Sequence, residues 1–170
     1  GPGGYALSPE AEKTKPAGVE FLDVAAAGDG TVYAATGEGV YKYSSAKWQL
    51  IDGGAGLPYE DVLTVGAAGG YLWAGTSIGA ARFDGDEWQY LQGPQYLPHD
   101  RVQALAALKD GSAWLGTPKG VSFIEYVPMT MEEKAAHFEK ITRERHVRHG
   151  LVSESTLEVP GDTSTNRLRT

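Results

Sequence analysis

Cysteine is absent from the 170 residues. Its absence excludes a disulfide framework, a thiolate nucleophile, a redox pair and a cysteine-ligated zinc site. Positive charge is scarce as well: 15 Lys and Arg stand against 22 Asp and Glu, a net charge of −7. A protein that tracks a phosphate backbone needs surplus cation on one face, so no nucleic-acid partner is expected. No apolar run approaches the roughly 20 residues of a spanning helix, so no membrane span is expected. Neither a Walker loop nor a G-x-G-x-x-G between strand and helix is present, and no cofactor is expected. The opening Gly-Pro-Gly-Gly has no initiator Met, basic flank or apolar stretch, and does not read as an intact signal peptide.

Glycine is plentiful, 23 residues with 9 Pro, and it recurs in register. Gly30, Gly70 and Gly111 correspond, as do Tyr33, Trp73 and Trp114, then Thr36, Thr76 and Thr117, then Gly39, Gly79 and Gly120. The offsets are 40 and 41 residues. Trp48 matches Trp88, Leu57-Pro58 matches Leu97-Pro98, and Val62 matches Val102. A fixed period of this length marks a repeat architecture.

Within each copy the pattern is strand. The middle copy holds Val62-Leu63-Thr64-Val65, then Tyr71-Leu72-Trp73-Ala74-Gly75-Thr76, then Ala80-Ala81-Arg82-Phe83, then Glu87-Trp88-Gln89-Tyr90-Leu91. These short runs are rich in β-branched and aromatic residues and are parted by glycine turns. Asp84-Gly85 is the pair a type I′ hairpin demands, because both central φ angles are positive there. Four antiparallel strands in about forty residues make one blade of a β-propeller. The small residues Ala35, Gly75 and Gly116 fall where strands crowd. Tyr33, Trp73 and Trp114 are expected to pack between neighbouring blades.

The runs "DGTVYAATGEGVYKY", "GGYLWAGTSIGAARFDGDEW" and "DGSAWLGTPKGVSFIEY" resemble the two-component-regulator propeller repeat over about residues 17–126. The resemblance implies seven-bladed propellers in periplasmic sensor regions ahead of a kinase, or modules attached to carbohydrate-active domains. This chain departs from that pattern in holding three copies, which do not close a ring, since propellers use about four to eight blades. An uncovered sheet edge and a bare apolar face both invite association. The third copy also lacks an evident outer strand. The N-terminal Tyr5-Ala6-Leu7 offers one candidate to complete a neighbouring blade.

The composition changes near Thr130. Residues 1–128 hold 8 Lys and Arg against 15 Asp and Glu, whereas residues 129–170 hold 7 of each. Thr130-Met131-Glu132-Glu133 fits a capping box. Met131, Ala135, Phe138 and Ile141 then make one apolar stripe, so an amphipathic helix is expected over about 130–148, ended by Gly150. The run "HVRHGLVSESTLEVPGD" is similar to the entry into helical toroid domains of carbohydrate-active proteins. That similarity implies catalytic carboxylates outside this chain.

The expected fold is therefore all-β, a partial β-propeller of about three four-stranded blades with a C-terminal α-helix and extended tail. Its parts are an N-terminal extension over 1–16, blades at about 17–58, 59–98 and 99–128, the helix over 129–150 and a polar tail over 151–170. Several chemical constellations compete with this bland reading. Gly75-Thr76-Ser77-Ile78-Gly79 spells G-x-S-x-G, but a nucleophile elbow joins a strand to a helix, and the matching positions here are Gly37 and Pro118. His137, His146 and His149 lie among Arg143, Arg145 and Arg148, which would repel a cation, so no metal is expected. Arg143, Arg145, His146 and Arg148 are instead a candidate docking patch for an acidic partner or a uronate. Asp84, Asp86, Glu87 and Asp110 fall in turns, where carboxylates stay hydrated. Trp48 and Trp88 pack on the outer strand, with sugar stacking as the alternative.

The leading functional expectation is a non-catalytic binding or scaffolding module of a larger protein or assembly, periplasmic or extracellular. Its partners would be other chains, the rest of its own propeller or carbohydrate. The alternatives are the propeller portion of a carbohydrate-active enzyme and the sensor region of a two-component-type receptor.

Overall fold

Among the described residues, eleven strands carry the repeat into three dimensions. The computed structural model describes residues 7–128 and, beyond them, residues 130, 132, 133, 135, 136 and 138–140. The chain divides into two units, Gly1–Tyr126 and Val127–Thr170. In the first unit, β1 (Asp23–Ala26), β2 (Val32–Thr36), β3 (Gly39–Ser44) and β4 (Lys47–Ile51) form one antiparallel sheet in sequence order. The second sheet is β5 (Val62–Ala68), β6 (Tyr71–Thr76), β7 (Gly79–Phe83) and β8 (Trp88–Leu91). The third holds β9 (Ala104–Ala107), β10 (Ala113–Thr117) and β11 (Gly120–Ile124). The fold is all-β, a partial propeller whose third blade has three strands among the described residues.

The repeated threonine closes the same turn three times. Thr36 Oγ1 donates to the Gly39 carbonyl at 2.9 Å, Thr76 Oγ1 to Gly79 at 3.0 Å and Thr117 Oγ1 to Gly120 at 2.9 Å. Each hydroxyl also accepts from an amide two residues on, those of Glu38, Ile78 and Lys119. The hydroxyl thus satisfies one carbonyl and one amide at each hairpin between the second and third strands. Thr76→Val is expected to lower stability by about 1–2 kcal/mol, since it leaves the buried Gly79 carbonyl and the partly buried Ile78 amide without their partner. Thr76→Ser should unfold near the wild-type midpoint in urea.

The Asp84-Gly85 turn departs from expectation. Gly85 takes φ +105°, but Asp84 is not left-handed, and the connection from Phe83 to Trp88 is four residues long. Asp84 Oδ1 accepts from the Asp86 and Glu87 amides at 2.9 and 2.8 Å, a side-chain-built turn rather than a type I′ pair. Those amides hold the Asp84 carboxyl below its usual range. The two-residue turn with both φ angles positive lies in the first blade, at Ser45 and Ala46.

Two apolar layers seal the blades together. Ala35 and Val40 of the first blade meet Val65, Leu72 and Ala74 of the second, with Tyr33, Phe83 and Trp88 packed around them. Trp73, Ala80 and Leu91 of the second blade meet Val102, Ala113 and Leu115 of the third. Strand alternation sends one row of each sheet forward and the next row back, which is how one blade serves two neighbours. A Cβ on Gly75 would fall 2.6 Å from Thr64 Cγ2 and 2.7 Å from Val102 Cγ1, so this position between blades has no room for more than a hydrogen.

The first blade has a cover of its own. Ser8 caps the short helix α1 (Pro9–Lys13), accepting from the Ala11 amide. Ala11 is buried, and its carbonyl accepts from Trp48 Nε1 at 3.0 Å. Phe21 then packs its ring 4.9 Å from Trp48 and 6.1 Å from Tyr41. Trp48 is therefore a packing residue bound to the N-terminal segment, and Trp88, 5.0 Å from Phe83, packs in the layer between the first two blades.

In the second unit Glu132, Glu133, Ala135, Ala136 and Phe138 through Lys140 are helical. The Thr130 amide donates to Glu133 Oε2 at 2.7 Å and the Glu133 amide to Thr130 Oγ1 at 3.2 Å. This is the reciprocal capping arrangement read from the sequence. The rest of the expected helix and the tail over 151–170 lie outside the described residues.

Candidate docking interface

The second and third copies of the repeat diverge at one face. Trp73 is fully buried, and its Nε1 donates to the Gly111 carbonyl of the following blade at 3.1 Å. Trp114 occupies the same place one copy later and is 50% exposed. The expectation of a packed core aromatic holds no further than Trp73, because no fourth blade among the described residues lies against Trp114. Around it stand Val121, 64% exposed, and Phe123, whose ring lies 4.7 Å from the indole. Cross-strand pairing sets this arrangement: Trp114 lies opposite Phe123, and Gly116 opposite Val121.

The same register holds a cation in the other blades. Tyr33 pairs across with Lys42, and Trp73 with Arg82. Arg82 is only 8% exposed, with its guanidinium 4.1 Å from the centre of the Tyr126 ring and 5.8 Å from that of Trp73. Its Nη2 donates to Gln89 Oε1 at 2.6 Å, while Nε has no hydrogen-bond partner. Burial lowers the pKa of Arg82, against the opposing pull of Tyr126, Tyr71 and Asp84. The group remains a cation held between aromatic faces, a pin between the second and third blades. Phe123 replaces that cation in the third blade and turns the exposed face wholly apolar.

The inner strands line a groove of about 570 Å³, bounded by β1, β5 and β9 and including Asp23, Thr64, Val65 and Gln103. Its one carboxylate is already engaged. Asp23 Oδ2 accepts from Thr64 Oγ1 at 2.7 Å and the Val65 amide at 3.1 Å, and Oδ1 from the Val24 amide. This joins the inner strands of the first two blades and leaves the groove mostly backbone and small side chains.

Other sequence candidates resolve differently. Ser77 lies in the hairpin turn between β6 and β7, where its hydroxyl donates to Asp61 Oδ2. Tyr90 donates to the Ile78 carbonyl, and burial, with the nearby Tyr59 ring, raises its pKa. These bonds tie the turn to its own blade; no helix follows Ser77. Asp110 Oδ1 accepts from the Ser112 amide at 2.9 Å, which fixes the turn between β9 and β10. Arg143, Arg145, His146 and Arg148, together with His137 and His149, lie outside the described residues.

Sequence reasoning missed Phe123 and Val121. The sign was present, since aligning the copies sets Lys42, Arg82 and Phe123 in one column. That column is one where the copies differ, and the landmarks of a repeat are those where they agree.

The fold matches solved extracellular domains from B. thetaiotaomicron. One, the extracellular domain of a hybrid two-component system protein, aligns with TM-score 0.53 and 18% identity over 68% of this chain and 16% of that one. A second structure of the same protein, there described as a one-component system, aligns with TM-score 0.52 and 17% identity over 68% of this chain and 17% of that one. At this identity the likeness is one of fold. The chain spans about one sixth of the length of these domains. No family model and no curated protein matches the chain. Among the described residues, no helix is long and apolar enough to cross a membrane.

Proposed function

We propose that these residues are a non-catalytic binding module: consecutive blades of a larger propeller in the extracytoplasmic, sensing part of a signalling protein. The observation that carries this reading is the contrast between Trp73 and Trp114. One repeat apart and alike in sequence context, the first is sealed by the next blade and the second presents its indole, with Phe123 and Val121, to solvent. An exposed apolar cluster of this kind on a repeat that elsewhere stacks is a docking face. The likeness in fold to extracellular domains of signalling proteins supports the sensing context.

The test extends the stack. A copy of residues 84–124 inserted directly after Ile124 continues the period by one repeat, because Ile124 aligns with Phe83. Acrylamide quenching of Trp114, read in a variant whose other tryptophans are phenylalanine, should fall to the level expected of a buried indole. A folded chain in which Trp114 stays as accessible as before would overturn the reading.

A further inference from the structure

We infer that the outer edge of β11 is an acceptor for an extended segment of a partner chain, of the pattern aromatic-polar-any-aliphatic. This concerns the edge of the third sheet, whereas the preceding reading concerns its face. Among the described residues β11 pairs with β10 alone. In the other two blades the matching strand is covered, and covered alike. Tyr43, Lys42, Tyr41 and Val40 lie opposite Trp48, Gln49, Leu50 and Ile51. Phe83, Arg82, Ala81 and Ala80 lie opposite Trp88, Gln89, Tyr90 and Leu91. Trp-Gln-x-aliphatic is thus the outer strand this fold has used twice, in one register.

Carried forward by one copy, the register sets the aromatic residue opposite Ile124, the polar residue opposite Phe123 and the aliphatic residue opposite Val121. Among the described residues no strand takes that place. The positions one period after Trp88 and Leu91 are Met129 and Glu132, and Glu132 is already helical behind the Thr130–Glu133 cap. The glycine that makes room for an outer strand is nevertheless retained. A Cβ on Gly39 would lie 2.4 Å from the Ile51 carbonyl oxygen, and one on Gly79 2.5 Å from that of Leu91. At Gly120 the nearest atom among the described residues is Pro98 Cγ at 3.6 Å, an ordinary contact, and no described strand lies beside β11 there. Val121, aligned with the buried Ala80, waits for an aliphatic neighbour there. Strand addition supplies affinity through main-chain bonds and specificity through alternate side chains.

The experiment uses the full chain and a labelled synthetic peptide of residues 86–92, Asp-Glu-Trp-Gln-Tyr-Leu-Gln. Saturable binding is expected, with slowed amide hydrogen exchange confined to the β11 hairpin. A scrambled peptide of the same composition should give neither. Val121→Asp, at a surface position that folding tolerates, should weaken binding at least about tenfold by burying an unpaired carboxylate. Absence of protection at β11 up to about millimolar peptide, a strand affinity too weak to matter, would overturn the inference. So would protection that rises with protein concentration alone, which would give the edge to a second copy. Either failure leaves the Trp114 quenching result standing, so the two readings fall separately.

Discussion

Trp73→Ala should lower the stability of the chain by about 3–5 kcal/mol, the cost of emptying a fully enclosed aromatic site. The indole is the largest fully buried side chain among the described residues, and its loss opens the layer between the second and third blades. It also leaves the Gly111 carbonyl without its donor. Against a typical total of about 5–15 kcal/mol, that loss is enough to split the unfolding transition or remove it. Trp73→Phe keeps most of the area and loses the hydrogen bond, an expected cost of about 1–2 kcal/mol. Trp114→Ala should shift the urea midpoint by less than about 0.5 kcal/mol equivalent, as other exposed substitutions do. Equal effects from Trp73→Ala and Trp114→Ala would show that the two indoles share one environment and would sink the account of the exposed face.

The second large effect belongs to the hairpin glycines. Gly79→Ala should cost about 2–4 kcal/mol, from the left-handed backbone and from overlap with the neighbouring strand. Gly79 has φ +145° and a carbonyl oxygen where the new methyl would go. Gly120 has nearly the same φ, +143°, and there a new methyl would meet, among the described residues, only Pro98 at an ordinary contact distance of 3.6 Å. Gly120→Ala should therefore cost only the backbone part, about 1–2 kcal/mol. The difference between the two, measured by urea unfolding, reads the presence of an outer strand directly.

What could be read from the sequence follows from how local each cause is. The turns at Gly39, Gly79 and Gly120 were legible as recurring landmarks, and the structure adds why they recur: each threonine hydroxyl bonds within its own four residues, so three copies of the motif give three copies of the turn. The capping box at Thr130 was legible for the same reason. Asp84-Gly85 was misread because loop length, not dipeptide identity, selects the turn: with four residues between the strands, Asp84 accepts from two amides of its own loop instead of adopting positive φ. Trp114 was misread because burial is a property of the neighbour. Nothing in its own copy says whether a further blade stands beyond it. Arg82 carries the same lesson in reverse, since a surface-type residue in the sequence is enclosed by Tyr126 from the next repeat.

The cover over the first blade has one more consequence. Head-to-tail growth of identical units needs a donor surface and a matching acceptor surface on every copy. Here Trp114 and Phe123 could serve as the donor, but the side of the first blade that faces away from the second is already occupied by Ala11 and Phe21. A second copy therefore meets a plugged socket, and the chain is protected against running on into open-ended fibres while still able to receive a different partner at its far end.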